Sequence, residues 1–308
     1  MTELDIEEKR RMLNAPLEEK IQRSKMLIMD WYAQFEGKVY VSFSGGKDST
    51  VLLHLVRSVH PDVVAVFADT GLEYPELKSH VKTFDNVEVI RPKLSFKKAL
   101  EKFGYPVISK EQSQFISEYR STKSEKLKKI RIEGNKWGRG KISKKWYFMI
   151  DAPFKITNKC CDTFKKDPFK RYEKKTGKKG IVGVMAGESL LRRQSYYKNE
   201  CNAFHTKRPL SKPLLFWNEA DIWKYTRDFN VTQSEIYTKH GYKRTGCMFC
   251  AYGLDREVES GEETRFERMK RTHPKLYKYC MEKLGMKKVL EFYLQNTKKK
   301  ENQLELFD

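Results

Sequence analysis

No run of 18 apolar residues occurs in the chain, which excludes an ordinary membrane-spanning helix. Met1-Thr2-Glu3-Leu4-Asp5 has neither the cationic start nor the apolar core of a secretory signal. A cytoplasmic location is therefore expected, with no membrane partner. Carboxylates are in short supply: 41 Asp and Glu face 62 Lys and Arg, leaving a net charge of +21. Such a surplus favours polyanionic partners, nucleic acid above all, by counterion release and steering. A generally basic, solvated surface gives the same total, so charge alone does not decide. Cysteine is scarce, with six in 308 residues. In a reducing compartment these read as ligands, catalysts or buried thiols rather than disulfides. Two phosphate-binding signatures are also missing. A Walker loop needs G-x-x-x-x-G-K-[ST], but position 41 is Val and Asp48 follows Lys47, and G-x-G-x-x-G is absent too.

In their place stands Val39-Tyr40-Val41-Ser42-Phe43-Ser44-Gly45-Gly46-Lys47-Asp48-Ser49-Thr50, followed by the apolar run Val51 to Val56. Its β-branched and aromatic start reads as a buried strand. The two glycines allow a tight turn whose N–H groups point at one ligand. Asp48, Ser49 and Thr50 suit an N-cap or first turn, so a helix opens there. Strand, glycine turn and helix N-terminus together make an anion site suited to phosphate or sulfate.

Upstream, Leu13, Leu17, Ile21, Met26, Leu27, Trp31 and Tyr32 recur at helical steps across residues 3–36, and Gly37 ends the pattern. That helix either packs on the sheet or serves as a dimerisation arm. Downstream, Asp62 to Ala68 reads as a second strand, and Asp69 to Glu76 as a turn into a helix starting near Pro75. Asn86 to Ile90 is a third strand, Ser95 to Phe103 a short helix, and Lys179 to Gly187 a later strand. Pro213 to Trp223 is an apolar turn in which Asn218 caps a helix. Strands alternating with helices predict an α/β fold: a doubly wound, mostly parallel sheet with helices on both faces and ligands at the strand C-termini. Three segments are expected: an N-terminal helical segment (1–36), a nucleotide-binding domain (37–255) with a basic insertion near 121–147, and a helical extension with a tail (256–308). Within the insertion, residues 123–145 hold ten Lys and Arg, with Trp137 and Trp146 and three glycines close by. Such a composition suits a flexible arm that grips phosphates and stacks on bases, and equally a solvated insertion.

Ser44-Gly45-Gly46-Lys47-Asp48-Ser49 resembles the PP-loop of the adenine nucleotide α-hydrolase-like superfamily. Taken with Asp69-Thr70-Gly71, Tyr74-Pro75-Glu76, Cys160-Cys161, Gly183 to Arg193, Pro213 to Trp223 and Tyr242 to Cys250, it resembles the phosphoadenosine-phosphosulfate (PAPS) reductase family. The resemblance implies that Ser44, Gly45, Gly46, Lys47 and Ser49 hold the phosphates of ATP, or the phosphosulfate of an adenylyl sulfate or PAPS. It places Asp69, Thr70 and Gly71 beside the adenosine. Lys47 and Asp48 become candidate catalytic residues, with Asp48 a Mg²⁺ ligand if the nucleotide is ATP. Arg192 or Arg193 becomes an anion clamp, since a guanidinium binds phosphate or sulfate bidentately.

Cys160-Cys161 and Cys247-Met248-Phe249-Cys250 are two close pairs, 86 positions apart. A C-x-x-C with a distant second pair signals a metal site, and the adjacent pair argues against ordinary zinc. The set resembles the [4Fe–4S] ligands of adenylyl-sulfate reductases and DNA-phosphorothioation proteins; zinc and a redox dithiol are the other readings. Cys201 and Cys280 read as small buried hydrophobes or as sulfur carriers. Lys198, His205 and Lys207 give Cys201 a basic context that favours a thiolate. Assimilatory reductases carry a catalytic Cys in a Glu-Cys-Gly-Leu-His motif near the C-terminus, which Glu301 to Asp308 does not contain. Three functions are weighed: ATP-dependent sulfur modification of DNA or tRNA with a sulfur donor such as a cysteine desulfurase; adenylyl-sulfate or PAPS reduction; and a nucleotide- or DNA-binding regulator without turnover. Gln303-Leu304-Glu305-Leu306-Phe307 resembles the pentapeptide by which bacterial replication proteins dock on the sliding clamp.

Overall fold

A computed structural model describes residues 3–297, so the clamp-like peptide at 303–307 lies outside the described residues. The chain forms two compact units. The first comprises Met1–Asp69, Glu73–Pro92 and Asp167–Thr245, the second Thr70–Leu72, Lys93–Lys166 and Gly246–Asp308. In chain order the strands among the described residues are β1 (Val39–Ser42), β2 (Ala65–Ala68), β3 (Val87–Ile90), β4 (Val107–Ile108), β5 (Lys179–Val182), β6 (Asn202–Ala203), β7 (Leu210–Ser211) and β8 (Ala251–Tyr252).

In the first unit six strands form one sheet in the order β3-β2-β1-β5-β7-β6. Every pairing is parallel except β6 with β7. Val41 is flanked by Ala65 on one side and Ile181 on the other. From β1 the chain winds to β2 and β3 on one side and later to β5 and β7 on the other. Such a reversal leaves a crevice beyond the carboxyl end of β1, where ligands bind in open parallel sheets. Ser44 to Ser49 occupies that end. The mostly parallel α/β sheet read from the sequence is therefore present. Asp62 to Val64, however, fall outside the second strand, and the later strand stops at Val182, where Gly183 begins a loop.

The helical pattern over residues 3–36 is two helices, Glu3–Asn14 and Leu17–Gln34, not one. Pro16 separates them: it has no N–H to continue the first helix, and its fixed φ (−56°) suits the start of the second. Leu17, Ile21, Leu27, Ile28 and Trp31 join one buried core with Val39 and Val41 of β1 and with Val51, Leu52 and Leu55 of helix Lys47–Arg57. The second helix thus packs on the sheet. Trp217 is in the same core, its indole N–H donating to Ser24 Oγ at 2.9 Å. Lys20, 1% exposed, donates from Nζ to Asp221 Oδ2 at 2.6 Å and to Leu13 O at 3.0 Å. Asp221 also accepts the N–H of Asn218, closing the capping box of helix Glu219–Asp228.

In the second unit β4 and β8 pair in parallel, with Val107 beside Ala251 and Ile108 beside Tyr252. Ser95, Ser109 and Ser124 cap helices Phe96–Phe103, Lys110–Ser121 and Glu125–Glu133. The basic insertion is therefore a folded helix and turn in place of the flexible arm read from composition. Trp146 is buried, with its ring 5.8 Å from that of Tyr293, so it is not available for stacking. No helix among the described residues is long and apolar enough to cross a membrane.

The ion pair at Lys20 supplies a stability test. Asp221→Ala should cost about 3–5 kcal/mol in urea unfolding, because it strands a buried ammonium and opens a helix cap. Lys20→Met, which removes the buried charge itself, should cost less than half of that; equal losses would contradict this account.

Candidate functional site

The loop of the first unit is shaped by one constrained glycine. Gly45 sits at φ +71°, and a Cβ there would lie 2.9 Å from Leu77 O and Val81 Cγ2. The turn delivers the chain to Gly46, the N-cap of helix Lys47–Arg57, which has no side-chain cap. Of the N-cap and first-turn places read for Asp48, Ser49 and Thr50, the first turn is the one taken, because the helix already begins at Lys47. The first intrahelical bond runs from Thr50 N–H to Gly46 O at 2.9 Å, so the N–H groups of Lys47, Asp48 and Ser49 precede it. Ser44 N–H donates to Ser49 Oγ at 3.1 Å, and Gly46 N–H to Ser44 Oγ at 3.3 Å. Two backbone donors and two hydroxyls thus converge on the helix end, an arrangement that suits an anion.

Lys47 is 4% exposed and donates to Lys243 O at 3.1 Å, with Glu219 Oε1 at 3.4 Å and Asp48 Oδ1 at 3.8 Å. Its Nζ lies 5.7 Å above the Tyr237 ring, and the Tyr237 hydroxyl bonds to Thr245 Oγ1 at 2.6 Å. Burial pushes the Asp48 carboxyl above its ordinary value; Lys47 opposes this, and Glu188 and Glu219 add to it. Asp48 Oδ1 is buried without a hydrogen-bond partner among the described residues. The end of β5 adjoins this point, since a Cβ on Gly183 would stand 3.2 Å from Asp48 O. Arg192 pairs with Glu188, which also takes Arg244 at 3.3 Å. Arg193 is exposed, with no ion pair among the described residues. Of the two arginines read from the sequence, only Arg192 pairs with Glu188, whereas the arginine that acts on Asp48 is Arg244. Glu219 and Thr245 fall within segments that carry the family resemblance but were assigned no role from the sequence, and Tyr237 gave no signal there.

Asp69, in the same unit, pairs with Lys78 at 2.7 Å and Arg91 at 3.6 Å, and its N–H donates to Ile90 O at 2.9 Å. Thr70 and Gly71 belong to the second unit. There Thr70 Oγ1 accepts Leu72 N–H at 3.2 Å, while Gly71 takes a φ of +77°.

The second unit also holds all four paired cysteines. Tyr105 N–H donates to Lys155 O (2.8 Å) and Thr157 N–H to Tyr105 O (3.0 Å), aligning the segment before Cys160 with the strand that becomes β4. Cys250 opens directly into β8, and Tyr252 Oη donates to Thr157 O at 2.9 Å. Cys250 N–H donates to Cys247 O at 2.9 Å, and Arg265, held by Glu257, donates to Cys250 O at 3.0 Å. All six cysteines are free thiols. Burial pushes the Cys160 thiol well up, the neighbouring Cys247, Cys161 and Cys250 push it further, and Lys165 opposes them. Burial also raises Cys250, against the pull of the Tyr252 N–H on its sulfur. No three of these sulfurs lie within 4.8 Å of one another among the described residues. Four cysteine thiols in one unit are a donor set whose chemistry suits an iron–sulfur cluster. Of the two readings of Cys201, the buried thiol fits better than the thiolate. Burial pushes its thiol up to about 11, outweighing Arg23, Lys9 and Lys212. Cys280, fully buried, is pushed up to about 12.

The phosphoadenosine phosphosulfate reductase domain is matched over residues 38–140 and 110–252, and the chain belongs to that family. It is 28% identical over 269 residues to an uncharacterized protein of Methanocaldococcus jannaschii, covering 84% of this chain and 51% of that protein. It is 24% identical over 225 residues to the adenosine 5'-phosphosulfate reductase of Geobacillus kaustophilus, covering 72% and 77%. The chain spans about half the length of the archaeal relatives it matches. Among solved structures, it is similar to the U34-tRNA thiolase of Methanococcus maripaludis with its [4Fe–4S] cluster, at 14% identity and a TM-score of 0.39 over 89% of this chain and 80% of that one.

Asp48 yields a pH test. Its folded pKa is raised, so its charge opposes folding at neutral pH, and that penalty fades as pH falls through the raised value. Asp48→Asn should therefore melt higher than the unsubstituted protein at pH 7, with the gap closing towards pH 4. A gap constant across that range would refute the assignment.

Proposed function

We propose that this chain binds ATP or an adenylyl sulfate on Ser44 to Ser49 and acts in sulfur transfer to nucleic acid, with a [4Fe–4S] cluster on Cys160, Cys161, Cys247 and Cys250. The observation that carries this is that two thiol pairs, 86 positions apart, lie in one compact unit on segments joined by the Tyr105–Thr157 and β4–β8 pairings. When bound, such a cluster supplies either single electrons or an iron site for sulfide. The chain's own residues do the rest. Backbone N–H groups at the helix start, with Ser44, Ser49 and Lys47, offset the phosphate charge. The orphaned Asp48 Oδ1 is an acceptor that a Mg²⁺ ion on the nucleotide would satisfy. Arg192 lies at the same strand ends and would swing from Glu188 to clamp an oxyanion. In the proposed reaction a target oxygen attacks the α-phosphorus of ATP and pyrophosphate leaves. The terminal sulfur of a donor persulfide, such as that of a cysteine desulfurase, then attacks the activated carbon and displaces AMP. A dithiol reductant cleaves the resulting S–S bond with two electrons, leaving the carbon–sulfur bond and a disulfide.

A second reading follows from relatives named adenosine 5'-phosphosulfate reductase. There two thiol electrons would cleave adenylyl sulfate to sulfite and AMP, with no pyrophosphate. The readings separate by product. Pyrophosphate formed from ATP and stimulated by nucleic acid supports the first, and sulfite from adenylyl sulfate and thiol supports the second.

Iron and sulfide assays on anaerobically prepared protein test the cysteines. Serine at position 160, 161, 247 or 250 should each abolish iron binding, while Cys201→Ser and Cys280→Ser should retain it. Stoichiometric zinc in place of iron would overturn the cluster.

A further inference from the structure

After helix Glu125–Glu133 the chain folds into a closed knuckle over residues 134–140. Gly134 (φ +98°) caps the helix, and a Cβ there would lie 2.8 Å from the Gly138 carbonyl carbon. Asn135 N–H donates to Arg139 O and Gly138 N–H to Asn135 O, both at 2.7 Å. Asn135 Oδ1 accepts the N–H of Trp137 at 2.9 Å and of Arg139 at 3.0 Å. Arg131 anchors the base, bonding Gly140 O at 2.6 Å and Glu118 Oε2 at 2.8 Å. This scaffold holds Trp137 69% exposed, with Lys136 Nζ 4.3 Å from its ring. Trp31, Trp146 and Trp217 are buried and Trp223 is half-buried beside Tyr237, so this indole is set apart from the others. Around it Lys136, Arg139, Lys141 and Lys144 are exposed and make no ion pair among the described residues.

A rigidly presented ring costs free energy in water unless a flat partner covers it. The surrounding positive surplus, ten Lys and Arg against two Glu over residues 123–145, selects an anionic partner. We infer that Trp137 is a stacking platform for an unpaired base of single-stranded nucleic acid, and that Lys136, Arg139 and Lys141 hold the flanking phosphates. This deepens, and rests on, the proposed nucleic-acid substrate. A duplex is a poor occupant because its bases are already stacked and offer no free face.

The test uses full-length protein with labelled oligo-dT, oligo-U and a blunt duplex of equal length. Trp137→Ala should weaken single-strand binding roughly 5- to 100-fold and duplex binding less than twofold, with Trp137→Phe retaining most of the affinity. Replacing Lys136, Arg139 and Lys141 together by Ala should reduce the salt slope by about 2. Tighter binding of oligo-U or of oligo-dT identifies the sugar. If Trp137→Ala is silent while the triple variant binds weakly, the patch reads phosphates only and the platform is refuted. A Trp137→Ala loss confined to anionic vesicles would make the ring a membrane anchor instead. If the unsubstituted protein binds no nucleic acid at low salt, the nucleic-acid reading itself falls, with the nucleotide loop unaffected.

Discussion

The close approach of Gly45 to the backbone of Leu77 sets the geometry on which the nucleotide loop depends. Any side chain at Gly45 would meet a carbonyl oxygen at 2.9 Å, in a left-handed conformation that L residues rarely adopt. That contact ties the turn after β1 to helix Pro75–Val81, itself part of the crossover after β2. The start of helix Lys47–Arg57 is thereby fixed relative to two neighbouring strands. Because β1 lies where the winding reverses, the N–H groups of that start open into the crevice beyond the sheet. Glycine, helix end and strand order thus form one device.

Burial governs the chemistry around this device. Lys47 is held by a backbone carbonyl and carboxylates, so its ammonium is fixed in direction without being neutralised by a single short ion pair. Asp48 carries the opposite burden: it is desolvated beside Glu188 and Glu219 and has one oxygen left unbonded. A half-buried carboxylate lacking a hydrogen bond on one oxygen, its ionisation disfavoured by burial and by neighbouring acids, is a frequent mark of a functional site. Arg192 and Arg244 crowd Glu188 in the same way, leaving cationic groups at hand for an anion.

How much of this was legible in the sequence depended on length scale. β1 was readable because a β-branched run meets two glycines within a few residues. The parallel sheet was readable because apolar strands alternate with helical stretches. The break at Pro16 was overlooked because apolar periodicity runs straight through it, whereas the proline's missing N–H decides the outcome. Composition could not distinguish Trp137 from Trp146, nine residues apart in one basic stretch. The first sits on a glycine-built knuckle and the second packs near Tyr293, a choice made by distant residues. Cys201 was left between a buried thiol and a thiolate for the same reason: burial, which sequence neighbours do not reveal, outweighs the nearby cations.

The thiol quartet shows most clearly what sequence spacing leaves out. Two pairs so far apart meet because of short backbone links rather than a recognisable motif. Tyr105 bridges to Ile156 in parallel, β4 continues from Tyr105, and β8 lies beside β4, so the chains leading to and from the two pairs share one narrow ribbon. Two-residue strands are too short for any periodicity to reveal. Ile108, at the end of β4, sits at φ +65°, a costly conformation for a β-branched side chain. Its carbonyl accepts Gly253 N–H at 2.7 Å, just past Cys250 and Tyr252. The strain therefore falls at the junction that sets where Cys250 stands, and the Tyr252 hydroxyl bond to Thr157 holds the other pair to the same ribbon. The fold itself brings the chain segments of both pairs onto adjoining strands. A metal centre binding there would meet segments already aligned, and less of the energy of ligation would be spent on assembling them.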